Sequence, residues 1–159
     1  MKLQIRPATA ADATTVVGLI RALARYEKLE DRAVATEAEI VAELSNPRPL
    51  VEIVLAIDDG RAVGFAVYFH NFSTFLGRRG LYLEDLFVEP QARGRGYGAA
   101  LIRHLARLAV ERGCGRFEWA VLDWNEPAIG FYRALGAEVL PDWRICRVTG
   151  EALQRLGAA

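Results

Sequence analysis

The spacing of apolar residues along the chain predicts an alternation of strands and helices. Residues 51–58, 61–69 and 81–88 are rich in β-branched, aromatic and aliphatic side chains, which is typical of strands. Asp59-Gly60 favours a tight hairpin between the first two. Helical spacing and capping residues predict helices over 9–26, 36–46, 97–113 and 125–136. The remaining expectations are strands at 2–6, 116–122 and 143–148, a loop or ragged strand end at 70–80, and a final turn or short helix at 151–156.

The order of these elements predicts the fold class. A strand, a long helix and a further strand between 81 and 122 form a crossover, which makes strands 81–88 and 116–122 parallel. The hairpin and the neighbouring strands make the rest of the sheet antiparallel. With 159 residues and 52% hydrophobic composition, the chain suits a single α+β domain over 1–159.

Charge and composition exclude several classes of protein. Basic and acidic residues number 20 each, so the chain has no overall positive field to gather nucleic acid. It lacks the run of about 18 apolar residues that a membrane span requires, and Met1 leads directly into a strand without a signal peptide. We therefore expect a cytoplasmic protein that binds neither membrane nor nucleic acid. Cys114 and Cys146 stand far apart, which argues against a metal cluster.

The segment Gln91–Gly98 places three glycines and two arginines between a strand and a helix. Glycine permits backbone dihedrals that other residues avoid, so successive N–H groups can point into one concavity at the positive end of the helix. Such a turn suits phosphate. The spacing also satisfies a loose dinucleotide fingerprint, although only about 60 residues follow, and it lacks the Gly-Lys-Ser/Thr of a P-loop. A glycine-rich connection without a ligand is the third interpretation.

Gln-x-x-Gly-x-Gly between a strand and a helix resembles the acetyl-CoA signature of the GNAT family of N-acetyltransferases. The stretches Leu81–Val88 and Trp124–Tyr132 are similar to the diamine (spermidine/spermine) and thialysine acetyltransferases, and the similarity runs from about Ile5 to Leu156. The resemblance implies a central, mixed and mostly antiparallel sheet flanked by helices, which splays where acetyl-CoA enters, and no metal. Ser73-Thr74-Phe75 resembles the thialysine branch more than the polyamine branch.

The resemblance also implies roles for individual residues. Contacts to acetyl-CoA are implied for Leu86, Phe87, Val88, Gln91, Arg93, Gly94, Arg95, Gly96, Tyr97, Gly98, Ala99, Asn125, Glu126, Pro127 and Ala128. Contacts to the amine substrate are implied for Tyr26, Glu27, Glu84, Asp85, Glu118, Trp119 and Ala120. On composition alone, the mixed charge of residues 26–32 is equally typical of a solvated turn.

The acids of strand 81–88 have a chemical reason to act as a base. An amine attacks a thioester only when unprotonated, and a primary alkyl amine has a pKa of about 10.4. Glu84 lies in an otherwise apolar strand and is the predicted proton acceptor, directly or through water. Asp85 faces the opposite side of a regular strand, so both reach one pocket only if the strand bulges. A surface edge of the sheet is the alternative for this pair.

Tyr132 is the predicted general acid. A phenol with a pKa of about 10 can return a proton to the departing CoA thiolate. Helical spacing alone favours a packing role beside Phe131, whereas the Asn-Glu-Pro sequence before it matches the segment that carries the acid in the family.

Together these features predict acetyl transfer from acetyl-CoA to the primary amine of a small cationic molecule, by direct attack in a ternary complex. A peptide or protein amine as acceptor, a non-catalytic acyl-CoA-binding module and a nucleotide-dependent oxidoreductase are the alternatives. Polyamine, thialysine, a lysine-like amine and a peptide all satisfy the pattern of acidic residues. The C-terminal tails of relatives often contribute to dimer contacts, which implies a homodimer.

Overall fold

A computed structural model describes residues 3–158 and divides the chain into two compact units, 1–120 and 121–159. The first unit contains a five-stranded sheet in which the strands lie in chain order. The single domain expected over 1–159 stays a prediction. The strands are β1 Gln4–Pro7, β2 Glu52–Asp58, β3 Arg61–Ser73, β4 Arg78–Val88 and β5 Arg116–Trp119, and the helices are α1 Ala13–Tyr26, α2 Glu37–Leu44, α3 Tyr97–Glu111, α4 Glu126–Ala134 and α5 Gly150–Gly157.

The strand directions confirm the predicted mixed sheet. β1 to β4 pair antiparallel with their neighbours, and β5 pairs parallel with β4. The tight turn between β2 and β3 has positive φ at Asp59 (50°) and Gly60 (77°), which is the conformation that Asp-Gly favours in hairpins. The capping boxes at Thr9 and Thr36 also form as the sequence predicts. For the first predicted strand, Lys2 lies outside the described residues.

Helices cover both faces of the sheet in the first unit. Val16, Leu19 and Leu23 of α1 form a buried cluster with strand residues that include Phe65 and Phe87. On the opposite face, α3 contacts β3, β4 and β5. Leu101 and Leu105 of α3 are fully buried, as are Leu81 and Leu83 of β4. Because both faces are covered, the central strands are almost continuously apolar rather than alternating.

A β-bulge divides β4. Leu83 pairs with Tyr68 and Asp85 pairs with Val67, so Glu84 is one extra residue on this strand. Val67 and Tyr68 face opposite sides of the sheet, and therefore Leu83 and Asp85 do so too. The bulge changes the face of the sheet to which the buried side chains of β4 point. Before the bulge they pack under α3, and after it they pack under α1.

The segment between β3 and β4 corrects the sequence-based expectation. Residues 70–80 are expected to form a loop or a ragged strand end, but β3 continues to Ser73, β4 begins at Arg78, and 74–77 form the turn between them. Gly77 has φ 60°, and the Leu76 N–H donates to Ser73 Oγ at 3.2 Å. Cross-strand pairing stabilises these polar positions, whereas composition alone does not favour a strand there.

Two predicted strands also need correction. β5 ends at Trp119 rather than at Leu122, because β4 pairs with it only from Gly80 to Leu83. Residues 143–148, expected as a last strand, adopt neither helix nor strand. In the second unit, α4 and α5 confirm the helices expected after Asn125 and over 151–156. Within the described residues, none of the helices combines the length and apolar character needed to cross a membrane.

Candidate active site

The glycine loop between β4 and α3 has an open arrangement of backbone donors. Gly94 and Gly96 adopt left-handed conformations with φ 78° and 80°, and a Cβ on either would have no atom within 4 Å. Ala100 is the first residue of α3 whose N–H bonds to the turn before it, through the Gly96 carbonyl at 2.9 Å. The N–H groups of residues 94–99 donate to no acceptor in the described part of the chain. This loop therefore has the unpaired donors that an anion requires at a helix N-terminus.

The side chain of Arg93 is exposed and contacts other residues of the first unit. Its guanidinium carbon lies 4.4 Å from the centre of the Tyr26 ring and 5.6 Å from that of Phe87. Its Nε donates to the Val88 carbonyl at 2.9 Å. Arg93 therefore links the glycine loop to the C-terminal end of α1 and to the end of β4.

Arg95 makes a different set of contacts. Its Nη1 lies 3.1 Å from Oδ2 of Asp58, the last residue of β2. The Asp58 side chain is only 8% exposed, whereas that of Arg95 is 48% exposed. The Tyr97 side chain, followed by Asp58, stabilises the charged guanidinium and raises the pKa of Arg95. The loop is thus anchored to the hairpin between β2 and β3.

The second half of β4 has an outer edge that extends past β5. The Glu89 N–H donates to the Val63 carbonyl of β3 at 2.9 Å, so Leu86 and Val88 direct their backbone groups away from β3. β5 pairs only with Gly80–Leu83, and among the described residues β5 is the outer neighbour of β4. This edge is where an extended amide chain can add to the sheet.

Carboxylates gather where the bulge turns β4 towards α1. Burial, followed by the like charges of Glu84 and Glu27, raises the pKa of Asp85 to about 6. Burial also raises the pKa of Glu27, which follows the last residue of α1. Glu84 itself is exposed. Glu84 and Asp85 can reach one pocket only if the strand bulges at this point. β4 does bulge at Glu84, so this condition is met.

An open groove of about 380 Å³ lies between α1 and the residues that follow β4. Tyr26 and Arg25 line one side, and Phe87 and Gln91 line the other. The rings of Tyr26 and Phe87 that line this groove also face the Arg93 guanidinium, and the carboxylate in its lining is that of Glu89.

Glu118 lies on the neighbouring strand. Its backbone pairs with that of Tyr82 across β4 and β5. Its carboxylate forms an ion pair with Arg116 Nε at 2.8 Å and accepts a hydrogen bond from Asn71 Nδ2 at 3.2 Å. Burial, with the charges of Glu84 and Glu118, raises the pKa of Tyr82. The ring of Trp119 packs 4.9 Å from that of Phe117. Ala120 is exposed beyond the end of β5.

The remaining predicted residues lie in the second unit. The buried Asn125 caps α4 by accepting a hydrogen bond from the Ala128 N–H at 3.3 Å. Glu126 and Pro127 form the first turn of α4, as proline's fixed φ favours. Tyr132 is half-buried, with its ring centre 5.3 Å from that of Phe131. The local structure of this segment is that predicted from Asn-Glu-Pro.

Three parts of the site have no signal in the sequence. Asp58 is separated from Arg95 by 37 residues, and nothing in the hairpin marks it as the partner of a loop arginine. Similarly, Arg61 Nη1 and Gln91 Nε2 both donate to Glu89 Oε2, at 2.6 and 2.9 Å, which ties the hairpin to the start of the loop. Ala22 and Arg25 line the groove because α1 ends there, which helical periodicity alone cannot indicate.

Comparison with known proteins gives a consistent result. Residues 16–137 match the model of the acetyltransferase (GNAT) family. The chain is 37% identical to a thialysine N-epsilon-acetyltransferase of Bos taurus, with 97% of this chain and 96% of that protein covered. It is 31% identical to an L-ornithine N5-acetyltransferase of Arabidopsis thaliana, over 96% of this chain and 87% of that protein.

A similar solved structure is that of an integron cassette protein from the mobile metagenome of V. cholerae. It superposes with a TM-score of 0.84 at 29% sequence identity and covers 100% of this chain and 99% of its own. The fold and the sequence comparisons therefore agree over nearly the whole chain.

Proposed function

The chain belongs to the acetyltransferase (GNAT) family and is an N-acetyltransferase, and we propose that it acetylates the primary amine of a small cationic substrate. Acetyl-CoA supplies the acetyl group as a thioester. The relatives named for thialysine and for L-ornithine act on small molecules that carry an amine, which supports this class of acceptor. The carboxylates of Asp85, Glu84 and Glu27 near the bulge in β4 support it independently.

The residues of the first unit fit acetyl-CoA. The N–H groups of residues 94–99, which donate to no acceptor among the described residues, would hold the pyrophosphate. The left-handed Gly94 and Gly96 leave room for it. The outer edge at Leu86 and Val88 would hold the pantetheine amides by adding them to the sheet. In the second unit, the first turn of α4 from Asn125 to Ala128 is proposed as a further contact.

The amine would lie near the bulge. Asp85, Glu27 and Glu84 together provide negative charge. Tyr26, whose ring also faces the Arg93 guanidinium, is proposed as a further contact. Glu118 and Trp119 on β5, with Ala120 after it, are proposed to line the other side. Since Asp85 is protonated below about pH 6, the site attracts a cation best at and above neutral pH.

Proton transfer would be shared by two residues. Glu84 accepts the proton of the ammonium group, directly or through water, and this produces the neutral amine that attacks the thioester. As the C–S bond breaks, Tyr132 donates a proton to the departing CoA sulfur, and the resulting phenolate takes the remaining extra proton from the nitrogen of the new amide. Both substrates are bound at once, so the amine attacks without a covalent enzyme intermediate.

The observation that carries this proposal is the bulge in β4, because beyond it Asp85 interacts with both Glu84 and Glu27, on the strand that leads into a loop of free N–H groups. The test measures CoA release with putrescine, spermidine, thialysine, ornithine, lysine and a lysine-containing peptide. We expect turnover on a free amine and a fall of about 10²-fold or more in kcat for Tyr132→Phe on the preferred one.

The control for this test is Phe131→Leu, which changes the neighbouring aromatic ring but removes no hydroxyl. Equal turnover by wild type and Tyr132→Phe would contradict the role of Tyr132. Turnover on the peptide alone would identify a peptide acetyltransferase, and acetyl-CoA binding without turnover on any amine would identify a binding module.

We also propose that the protein is a cytoplasmic homodimer that associates through its C-terminal tail. Trp143 and Ile145 expose 80% and 70% of their surface, and Leu153 and Leu156 of α5 are exposed as well. Light scattering after size exclusion should give twice the mass of one chain, and Trp143→Glu should give the mass of one. Arg144→Gln is the matched control. A wild-type mass of one chain would contradict the dimer, and cell fractionation tests the location.

A further inference from the structure

Asp58 is a buried carboxylate with one oxygen in use. Its Oδ2 pairs with Arg95 Nη1 at 3.1 Å, whereas its Oδ1 is buried and accepts no hydrogen bond from the described residues. A buried charge is costly unless it is paired, so this single contact is the compensation that the described residues provide. Breaking the ion pair would leave the Asp58 carboxylate buried without a partner, so the closed pair is favoured.

Arg95 occupies a sensitive place in the loop. The residues on either side, Gly94 and Gly96, both have left-handed φ, which is the conformation that presents consecutive N–H groups to one side. Glycine also gives this segment the greatest freedom to move. A side chain fixed between two glycines therefore restricts a backbone that would otherwise sample many conformations.

We propose that Asp58 is a positioning residue for the acetyl-CoA loop and acts through Arg95. The ion pair fixes the loop to the end of β2, and the Tyr97 side chain at the start of α3 also stabilises the Arg95 guanidinium. The N–H groups of residues 94–99 are then held in a binding conformation before the ligand arrives, which lowers the entropic cost of binding. This inference rests on the proposed function, because it takes the loop as the acetyl-CoA site.

The sign of the effect separates this role from a charge effect. Removing a carboxylate near a phosphate site should strengthen anion binding if charge alone matters. Likewise, if Asp58 competed with the phosphates for Arg95, its removal would release the arginine and also strengthen binding. Positioning predicts the opposite, namely weaker binding.

The experiment measures acetyl-CoA binding by calorimetry for Asp58→Ala, Asp58→Asn, Arg95→Gln and the Asp58→Ala, Arg95→Gln double variant. We expect Asp58→Ala to weaken binding about tenfold, and Asp58→Asn to weaken it less because the amide keeps one acceptor. The double variant should be no weaker than Arg95→Gln alone, since Asp58 acts through that arginine. In steady-state assays, the KM for acetyl-CoA should rise while the KM for the amine stays unchanged.

Asp12→Asn is the matched control, because Asp12 is also a largely buried carboxylate paired with an arginine, Arg6, at 2.8 Å. It should lower stability without changing acetyl-CoA affinity. Hydrogen exchange of the free protein provides a second readout: Arg95→Gln should speed exchange of the amides of 94–99 without any ligand. This readout covers the case in which an Asp58 variant does not fold, since Arg95 is half exposed.

Unchanged or tighter acetyl-CoA binding by folded Asp58→Ala would overturn the proposal, as would additive losses in the double variant or unchanged loop exchange in Arg95→Gln. Failure of the proposed function gives a different result. In that case wild type itself does not bind acetyl-CoA, whatever the exchange measurement shows.

Discussion

The two halves of β4 have the same neighbour on one side and different surroundings on the other. From Gly80 to Leu83 the strand is paired with both β3 and β5 and packs under α3. From Asp85 to Val88 it is paired with β3 only, and its buried side chains face α1. One extra residue at position 84 separates them.

This difference shows how a single strand can stabilise the fold in one half and keep an unpaired backbone edge in the other. The first half has its backbone groups occupied and its side chains buried, so it contributes to stability. The second half has an open edge and a carboxylate, that of Asp85, whose pKa is raised to about 6, and such perturbed groups are typical of functional sites. Substitutions in the two halves should therefore have opposite signatures.

The largest effect should come from Leu83→Ala in the first half. Leu83 is 2% exposed, and truncating such a side chain costs about 2–5 kcal/mol through lost burial and the cavity left behind. We expect a lower midpoint in urea unfolding but near-normal kcat for the folded fraction at low temperature. Val110→Ala, which removes an exposed side chain, should leave the midpoint unchanged. A folded Leu83→Ala without activity would blur the distinction between the halves.

In the second half, Glu84→Gln should give the reverse. The exposed carboxylate contributes little to stability, so the unfolding midpoint should be nearly unchanged, while kcat/KM for the amine falls about 10²-fold. Initial rates across pH 6–9 measure this loss, and Glu111→Gln on α3 is the control. A loss of less than about threefold would assign the proton transfer to another group.

Gly64→Ala tests the support that β3 gives to the second half. A Cβ at Gly64 would lie 2.7 Å from the Phe87 carbonyl oxygen and 3.1 Å from Val88 Cγ2, so β4 must move. We expect a loss of about 1–3 kcal/mol in stability and a higher KM for acetyl-CoA. Gly18→Ala in α1, where a Cβ meets nothing within 4 Å, should be neutral or stabilising. An unchanged KM in folded Gly64→Ala would show that the edge is not the pantetheine site.

The smallest effect concerns pH. The pKa of Asp85 is about 6 in the folded protein and 3.8 in the unfolded chain, so the folded state binds this proton more tightly. The contribution of Asp85 to wild-type stability should therefore fall as pH rises from about 4 to about 6. Asp85→Asn removes this penalty and should be more stable than wild type by about 1–2 kcal/mol above pH 6, with no difference near pH 4.

Urea unfolding of both proteins at pH 4, 5, 6 and 7 measures the Asp85 effect. Asp12→Asn should have the opposite effect and be less stable than wild type at pH 7, because the hydrogen bond from Arg6 lowers the pKa of Asp12. This difference should shrink as pH falls into the acid range, where the stability from the pair is lost. Equal stability of Asp85→Asn and wild type at all four pH values would contradict the raised pKa.

Much of the site follows local rules and was predictable. The strand, glycine loop and helix around 81–113 depend on composition and spacing within about 30 residues, and the parallel β5 follows from the crossover. The bulge at Glu84 was predicted only as the condition for two carboxylates to meet. Its presence depends on pairing with β3, which no single strand encodes.

The parts that sequence missed depend on distant partners. Asp58 and Arg95 are brought together by the sheet, and the longer hairpin between β3 and β4 is stabilised by pairs such as Phe72 with Arg79 rather than by propensity. Residues 143–148 have strand composition, but a strand forms only where it finds a neighbour to pair with. In the described residues of the second unit, this segment has none.

The sheet order β1-β2-β3-β4-β5, identical to the chain order, has a consequence for how the protein is made. Every strand emerging during synthesis finds its neighbour already present, and no strand has to insert between two others. The β2–β3–β4 meander closes through short turns and can form first, because short loops cost little entropy. The open edge of β4 is therefore laid down before the glycine loop and α3, which together with it form the proposed acetyl-CoA site.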